Sequence, residues 1–205
     1  MKPKKLLIAT QNPGKLREMK ALLGDLGVSI LGLSDVFGKN IPEVAETGSS
    51  YEANAKLKAR TIGKPAKIPT LADDSGLEVY ALDNFPGITS ARWHPGSDAD
   101  RNRALLKKMR DVDDRRARYV ASVCIFLPTQ DKFICTRGIL NGLMALEPTN
   151  KIKGGFGYDS IFIPKGYDRP LAELGDDVKL KISHRTKAIK KLCTIIQPTS
   201  RQKRS

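Results

Sequence analysis

Apolar and polar positions follow strand and helix periods along the whole chain. "KKLLIAT", residues 4 to 10, is an apolar run that predicts a buried strand. Asn12 and Pro13 then predict a helix start, because an Asn side chain caps free N–H groups and proline suits the first turn. Leu16, Met19, Leu22 and Leu23 give that helix one apolar face. "VSILGL" returns to strand, and Ser49 or Ser50 can cap a second helix carrying Tyr51, Ala55, Leu57 and Ile62. "PTLADDSGLEVYAL" reads as two short extended segments around an acidic pair, and a Pro-Gly loop, "NFPGITSARWHPG", follows. Ser97, with Asp100 three residues on, predicts a capping box for a helix containing Ala104, Leu105, Leu106 and Met109. Residues 116 to 140 hold two β-rich runs joined by "PTQD", a hairpin pattern, and "GGFGYDSIFIP" is a glycine-rich turn leading into another strand. Ser183 caps a last helix with Ala188, Leu192, Ile195 and Ile196, stopped at Pro198. The pattern predicts an α/β fold, a mixed sheet with helices on its faces.

Composition bounds this picture. The chain has 205 residues, 40% hydrophobic and 28% charged, enough to bury a core. No linker or repeat divides it, so residues 1–198 are read as one domain and 199–205 as a basic tail. The apolar run from Leu6 to Ala9 is far shorter than a signal-peptide core, and nothing approaches the roughly 20 apolar residues of a membrane span. The expectation is a cytoplasmic protein. Cys124, Cys135 and Cys193 lack metal-ligand spacing and are read as inert core thiols. If "PTQD" closes a hairpin, however, Cys124 lies opposite Cys135, which makes the pair liable to oxidation.

The net charge is +14 and unevenly placed. No acidic residue follows Asp177, whereas Lys179, Lys181, Arg185, Lys187, Lys190, Lys191, Arg201, Lys203 and Arg204 do. Such a block suits weak nucleic-acid binding or attraction of a polyphosphate, and equally a solvated helix face with a basic tail.

Five short stretches could carry chemistry. "TQNPGK" ends at a helix N-terminus, whose N–H groups and dipole favour phosphate, and Lys15 adds a charge one turn in. Asn54 and Lys58 lie four apart on one helix face, behind Glu46. Asp73 and Asp74 point to opposite sides of an extended chain, so one carboxylate could face a ligand, take Mg²⁺ and position a water. Asp-Ser-Gly is equally an ordinary turn. In "GGFGYD", glycines permit close approach and Phe156 or Tyr158 offers a stacking face, or else the segment is a turn over core aromatics. "SHR" sets His184 and Arg185 as two donors at a helix start. No Gly-x-Ser-x-Gly elbow supports a Ser-His-Asp hydrolase.

In their order and spacing, "TQNPGK", "ETGSSYEANAKLKA", "LADDSGLEV", "PGITSARW", "GGFGYDSIF" and "KISHRTKA" resemble the inosine triphosphate pyrophosphatase (Ham1-like) family, from about Leu6 to Leu192. The resemblance implies an elongated mixed sheet in two lobes around a central active-site cleft, usually as a homodimer. It implies Mg²⁺-dependent hydrolysis of non-standard purine nucleoside triphosphates, ITP, dITP or XTP, to monophosphate and pyrophosphate, which cleanses the nucleotide pool. Thr10, Gln11, Asn12, Pro13, Gly14 and Lys15 would then hold the triphosphate, with Lys58 as a second cation. Asp74 would be the catalytic residue and a metal ligand, with Glu46 its partner on Mg²⁺ and Ser75 on substrate. Phe156, Gly157, Tyr158 and Asp159 would cradle base and sugar, and Lys179, His184 and Arg185 would recognise the purine. Ala53, Ser160 and Thr186 depart from the family pattern. Two other readings stay open: a nucleic-acid-binding module on an enzyme fold, and a Maf-like pyrophosphatase for pyrimidine or modified nucleotides.

Overall fold

The computed structural model describes residues 4–196, so Pro198 and the basic tail 199–205 lie outside the described residues. In chain order the elements are β1 (Lys5–Ile8), α1 (Pro13–Leu23), β2 (Ser29–Leu31), α2 (Leu33–Phe37), α3 (Tyr51–Ala66), β3 (Thr70–Val79) and β4 (Phe85–Pro86). They continue with α4 (Asp98–Lys108), β5 (Arg116–Leu127), β6 (Lys132–Met144), β7 (Phe162–Pro164), α5 (Leu171–Leu174), α6 (Asp176–Ile182) and α7 (His184–Ile196). Among the described residues the strands form one mixed sheet in the order β2-β1-β3-β5-β6-β7, with β4 paired to β3. β1 runs parallel to β2 and β3, whereas the pairs β3 with β4 and β6 with β7 are antiparallel.

The caps of α1, α3 and α4 form where the sequence places them. Asn12 accepts the Lys15 N–H at 3.1 Å, Ser50 accepts that of Ala53 at 3.1 Å, and Ser97 with Asp100 closes a capping box on α4. The acidic pair does not follow its expected pattern. Residues 70–79 form one continuous strand, so Asp-Ser-Gly makes no turn there. The turn loses because both aspartates find cations within reach of a straight strand.

The chain divides into two compact units, the first comprising residues up to 74, 121–138 and from 185, the second 75–120 and 139–184. In the first unit, strand alternation explains burial on both faces of the sheet. Leu6 and Ile8 of β1, Leu71 of β3, and Val123 and Ile125 of β5 pack with Met19 and Leu23 of α1 and with Ala188, Ile189 and Leu192 of α7. The intervening Leu7, Ala72 and Phe126 pack with Leu33 of α2 and with Ala59 and Ile62 of α3. Gly63 lets α3 approach closely, since a Cβ there would stand 2.8 Å from Thr70 Oγ1 and 2.9 Å from the Phe126 ring. Cys124 and Cys135 are disulfide-bonded, which corrects the expectation of inert thiols. The hairpin sets their Cα atoms 4.1 Å apart, so the facing pair forms a cross-strand link. Cys193 alone is a free thiol among the described residues.

The second unit has its own core of Leu77, Val79, Leu105, Met109, Tyr119, Leu140, Met144, Ile161, Phe162 and Leu171. No helix among the described residues is long and apolar enough to cross a membrane.

Candidate functional site

Because Asp73 follows Leu71 by two residues and Asp74 follows Ala72 by two, each aspartate continues a different face of the sheet. Asp73 lies on the α1/α7 face. Its Oδ2 accepts from Lys15 Nζ at 3.1 Å and from Arg185 Nε at 3.1 Å, and Arg185 Nη1 also donates to Glu18 Oε2. The Arg185 and Asp73 side chains are each 1% exposed. Burial alone would raise the Asp73 carboxyl, but Lys15 and Arg185 reverse this and hold it far below the ordinary carboxylate range. Burial lowers the Lys15 ammonium despite Asp73, whereas Asp73 and Glu18 outweigh burial and raise the Arg185 guanidinium.

Asp74 lies on the α3 face. Asn54 and Lys58, one turn apart, converge on its two oxygens: Asn54 Nδ2 donates to Oδ2 at 3.1 Å and Lys58 Nζ to Oδ1 at 2.9 Å. The same ammonium donates to Glu46 Oε1 at 2.8 Å, and Asn54 Oδ1 accepts the Gly48 N–H at 2.7 Å, which ties down the loop ahead of α3. Burial raises the Asp74 carboxyl above its ordinary value, with Lys58 opposing it. Lys58 is raised because Asp74, Asp73 and Glu46 outweigh its own burial. Thr10, Gln11, Asn12, Pro13 and Gly14 lie between β1 and the first turn of α1, with Gln11 to Pro13 exposed.

Among the described residues no three His, Cys, Asp or Glu side chains converge as a ready metal cage. Glu46 and Asp74, gathered on one ammonium, offer two hard oxygen donors. That is the set Mg²⁺ uses when waters and substrate phosphates complete its shell.

The second unit holds a different cluster around Asp159. Its Oδ2 accepts from Lys179 Nζ at 2.6 Å and from the Phe156 N–H at 2.9 Å, and its Oδ1 accepts from Tyr119 Oη at 3.0 Å. Lys179 Nζ stands 3.9 Å from the centroid of the half-buried Phe156 ring. The His184 ring stacks on that of Tyr119 at 4.6 Å and 8°. Gly157 has a left-handed φ of +67°, which turns the chain between Phe156 and Tyr158. Tyr158 is 5% exposed and donates from Oη to the Ser90 carbonyl at 2.6 Å while accepting from Trp93 Nε1 at 2.7 Å. It is packed as core, so Phe156 is the ring of this turn with accessible surface. Ser75, half-buried on β3, opens the second unit.

A model of the Ham1 family matches residues 6–195. The chain belongs to the Ham1 family. This Ham1 chain is 44% identical over 191 residues to a dITP/XTP pyrophosphatase of Symbiobacterium thermophilum, covering 92% of this chain and 93% of that one. It is 37% identical over 204 residues to a dITP/XTP pyrophosphatase of Aquifex aeolicus, covering 94% and 96%. Its fold matches the Ham1 protein of Coxiella burnetii with a TM-score of 0.84 at 36% identity, covering 94% of this chain and 98% of that one. The Ham1 protein of Staphylococcus aureus matches with a TM-score of 0.82 at 35% identity, with the same coverage.

The Ham1 chain thus brings Glu46, Lys58 and Asp74 together in one unit, and Phe156, Asp159, Lys179 and His184 together in the other. Arg185, grouped with His184 by the sequence, belongs to the first unit and is bound to Asp73 and Glu18. Two residues of these networks were not anticipated. Glu18 sits one turn after Lys15 on α1, a spacing that was legible, whereas nothing marks Tyr119 within "RARYVASVCIFL".

Proposed function

We propose that this Ham1 chain is an Mg²⁺-dependent pyrophosphatase of dITP, ITP and XTP, releasing pyrophosphate and the nucleoside monophosphate and so clearing deaminated purines from the nucleotide pool. The observation that carries this reading is the Lys58 ammonium held between Glu46 and Asp74, with Asn54 fixing the second Asp74 oxygen. It is supported by kinship to proteins named dITP/XTP pyrophosphatase. A homodimer in the cytoplasm is part of the same proposal, and light scattering of the purified protein tests the dimer.

Hydrolysis at phosphorus is limited by positioning and by charge on the phosphoryl oxygens. Glu46 and Asp74 would hold Mg²⁺, which would neutralise part of that charge. The chain supplies the rest. Residues 10–14 and Lys15 hold phosphates, and Asp73 anchors Lys15, whose ammonium has further donors to give. Lys58 adds a second cation. The Asp74 carboxylate, its pKa lifted by burial, orients the attacking water and takes its proton. The water oxygen bonds to the α-phosphorus, the bridge to the β-phosphorus breaks, and pyrophosphate leaves. In the second unit, Phe156 gives a stacking face, and Lys179 and His184 are polar groups that suit a purine with a 6-keto oxygen. Adenine would set its amino donor against donors, and buried mismatches of this kind discriminate strongly.

Asp74→Asn tests the assignment. Pyrophosphate release from ITP should fall at least about 100-fold with ITP still bound, and a variant with ordinary turnover would remove Asp74 from the reaction.

A further inference from the structure

We propose that Tyr119 is a positioning residue for base recognition in the second unit, fixing Asp159 through its hydroxyl and the His184 imidazole through its ring. The proposal rests on the reading that Phe156, Asp159, Lys179 and His184 receive the base. Tyr119 is 7% exposed and set in β5, beneath the residues it touches, so it acts through them.

A carboxylate turns about a broad, two-fold torsion, so holding one oxygen does not fix its plane. Asp159 Oδ2 is held by Lys179 Nζ at 2.6 Å and by the Phe156 N–H at 2.9 Å. Tyr119 Oη holds the other oxygen, Oδ1, at 3.0 Å, and the plane is then set. With it are set the direction of the Lys179 ammonium, 3.9 Å over the Phe156 ring, and the backbone that carries that ring. On its other side, the Tyr119 ring lies parallel to the His184 imidazole at 4.6 Å and meets the edge of Phe162 at 4.7 Å. Tyr119 therefore touches both halves of the base-facing group. Burial pushes its phenol well above the ordinary value, with Asp159 adding to the shift, so Oη stays a proton donor across any practical assay pH.

Phosphate chemistry is assigned to the other unit, so loss of the hydroxyl should weaken binding of the base and spare the chemical step. That difference separates positioning from general damage. Tyr119→Phe keeps the ring contacts and deletes only Oη. Steady-state pyrophosphate release should show KM for ITP raised about tenfold, kcat within about twofold of wild type, and the preference for ITP over ATP reduced. Asp159→Asn reads the same link from the carboxylate side. It should raise KM on its own, and adding Tyr119→Phe to it should cost less than Tyr119→Phe costs alone. An unchanged KM in Tyr119→Phe, a fall confined to kcat, or full additivity of the two substitutions overturns the proposal while the reading of the site stands. A wild-type protein that turns over no keto-purine triphosphate overturns that reading, and the proposal with it.

Discussion

Asp73→Asn removes the buried anion that Lys15 and Arg185 share, while Glu18 stays on Arg185. The Asp73 and Arg185 side chains are each 1% exposed, so water cannot take over the lost charge. Removing one partner of such a pair costs about 3–5 kcal/mol, and the lower end applies here because Asn keeps an acceptor oxygen. The pH dependence gives a second magnitude. The folded carboxyl lies far below its ordinary value of 3.8, so its stabilisation is complete above that pH and is lost as pH falls through the range below it. There the unfolded chain binds a proton that the folded chain refuses, and the difference between pH 4 and pH 2.5 integrates to about 1.5 kcal/mol. Urea denaturation followed by far-UV circular dichroism should therefore show Asp73→Asn less stable by about 3 kcal/mol at pH 7. The gap to wild type should narrow by about 1.5 kcal/mol between pH 4 and pH 2.5, since the remaining carboxylates are common to both proteins. A loss under about 1 kcal/mol at pH 7, or a gap that does not change with pH, would refute the assignment of Asp73 as the clamp on Lys15 and Arg185.

Other consequences are testable with similar means. Lys58→Met leaves Glu46 and Asp74 facing each other without their shared cation; ITP turnover should fall about 100-fold or more, and the acid limb of the pH–rate profile should move to higher pH. The sign follows from Asp74, which works as the carboxylate and whose pKa Lys58 holds down against burial; an unmoved acid limb contradicts this. Tyr158→Phe removes the hydroxyl that joins Trp93 to the Ser90 carbonyl. It should lower stability by about 1–2 kcal/mol and alter Trp93 fluorescence while leaving kcat unchanged. Alkylation without reductant should modify Cys193 alone, and slowly, because burial raises its thiol; mass spectrometry after reduction should reveal Cys124 and Cys135 as two further sites.

Periodicity and caps made most of the α/β frame legible. Asn12, Ser50, Ser97 and Asp100 are local signals whose hydrogen bonds depend on neighbours one turn away, and the structure forms each of them. The short helices α2, α5 and α6 were not legible, because four to seven residues carry too little period to stand out. β3 was misread at its centre: Asp-Asp-Ser-Gly has turn chemistry locally, and only cations from α1, α3 and α7 make a straight strand the better solution. The opposite orientation of Asp73 and Asp74 was legible, being a consequence of strand alternation alone. The spacing of Asn54 and Lys58 was legible too, but its target was not, since Asp74 lies 16 residues beyond Lys58 and the pairing needs the fold. The "SHR" motif set His184 and Arg185 side by side as donors; the contacts that hold them, Asp73 and Glu18 on Arg185 and Tyr119 on His184, come from distant sequence and were not legible. For the cysteines, the hairpin argument identified the facing pair and the apolar context argued against a bond; the cross-strand geometry prevailed. The nucleic-acid reading rests on the acid-free stretch after Asp177, whose basic tail at 199–205 lies outside the described residues. Of the basic residues before it, Lys179 and Arg185 are buried in ion pairs and contribute little to any exposed cationic face.

The central claim is that this chain cleaves keto-purine triphosphates between the α and β phosphorus atoms. The most direct measurement is pyrophosphate release from ITP, dITP and XTP beside ATP and GTP, each with Mg²⁺ and with the metal chelated. The account predicts Mg²⁺-dependent release that is fast for ITP, dITP and XTP and at least about 100-fold slower for ATP. Release of orthophosphate in place of pyrophosphate, equal turnover of ATP, or no release from any keto-purine triphosphate would contradict it.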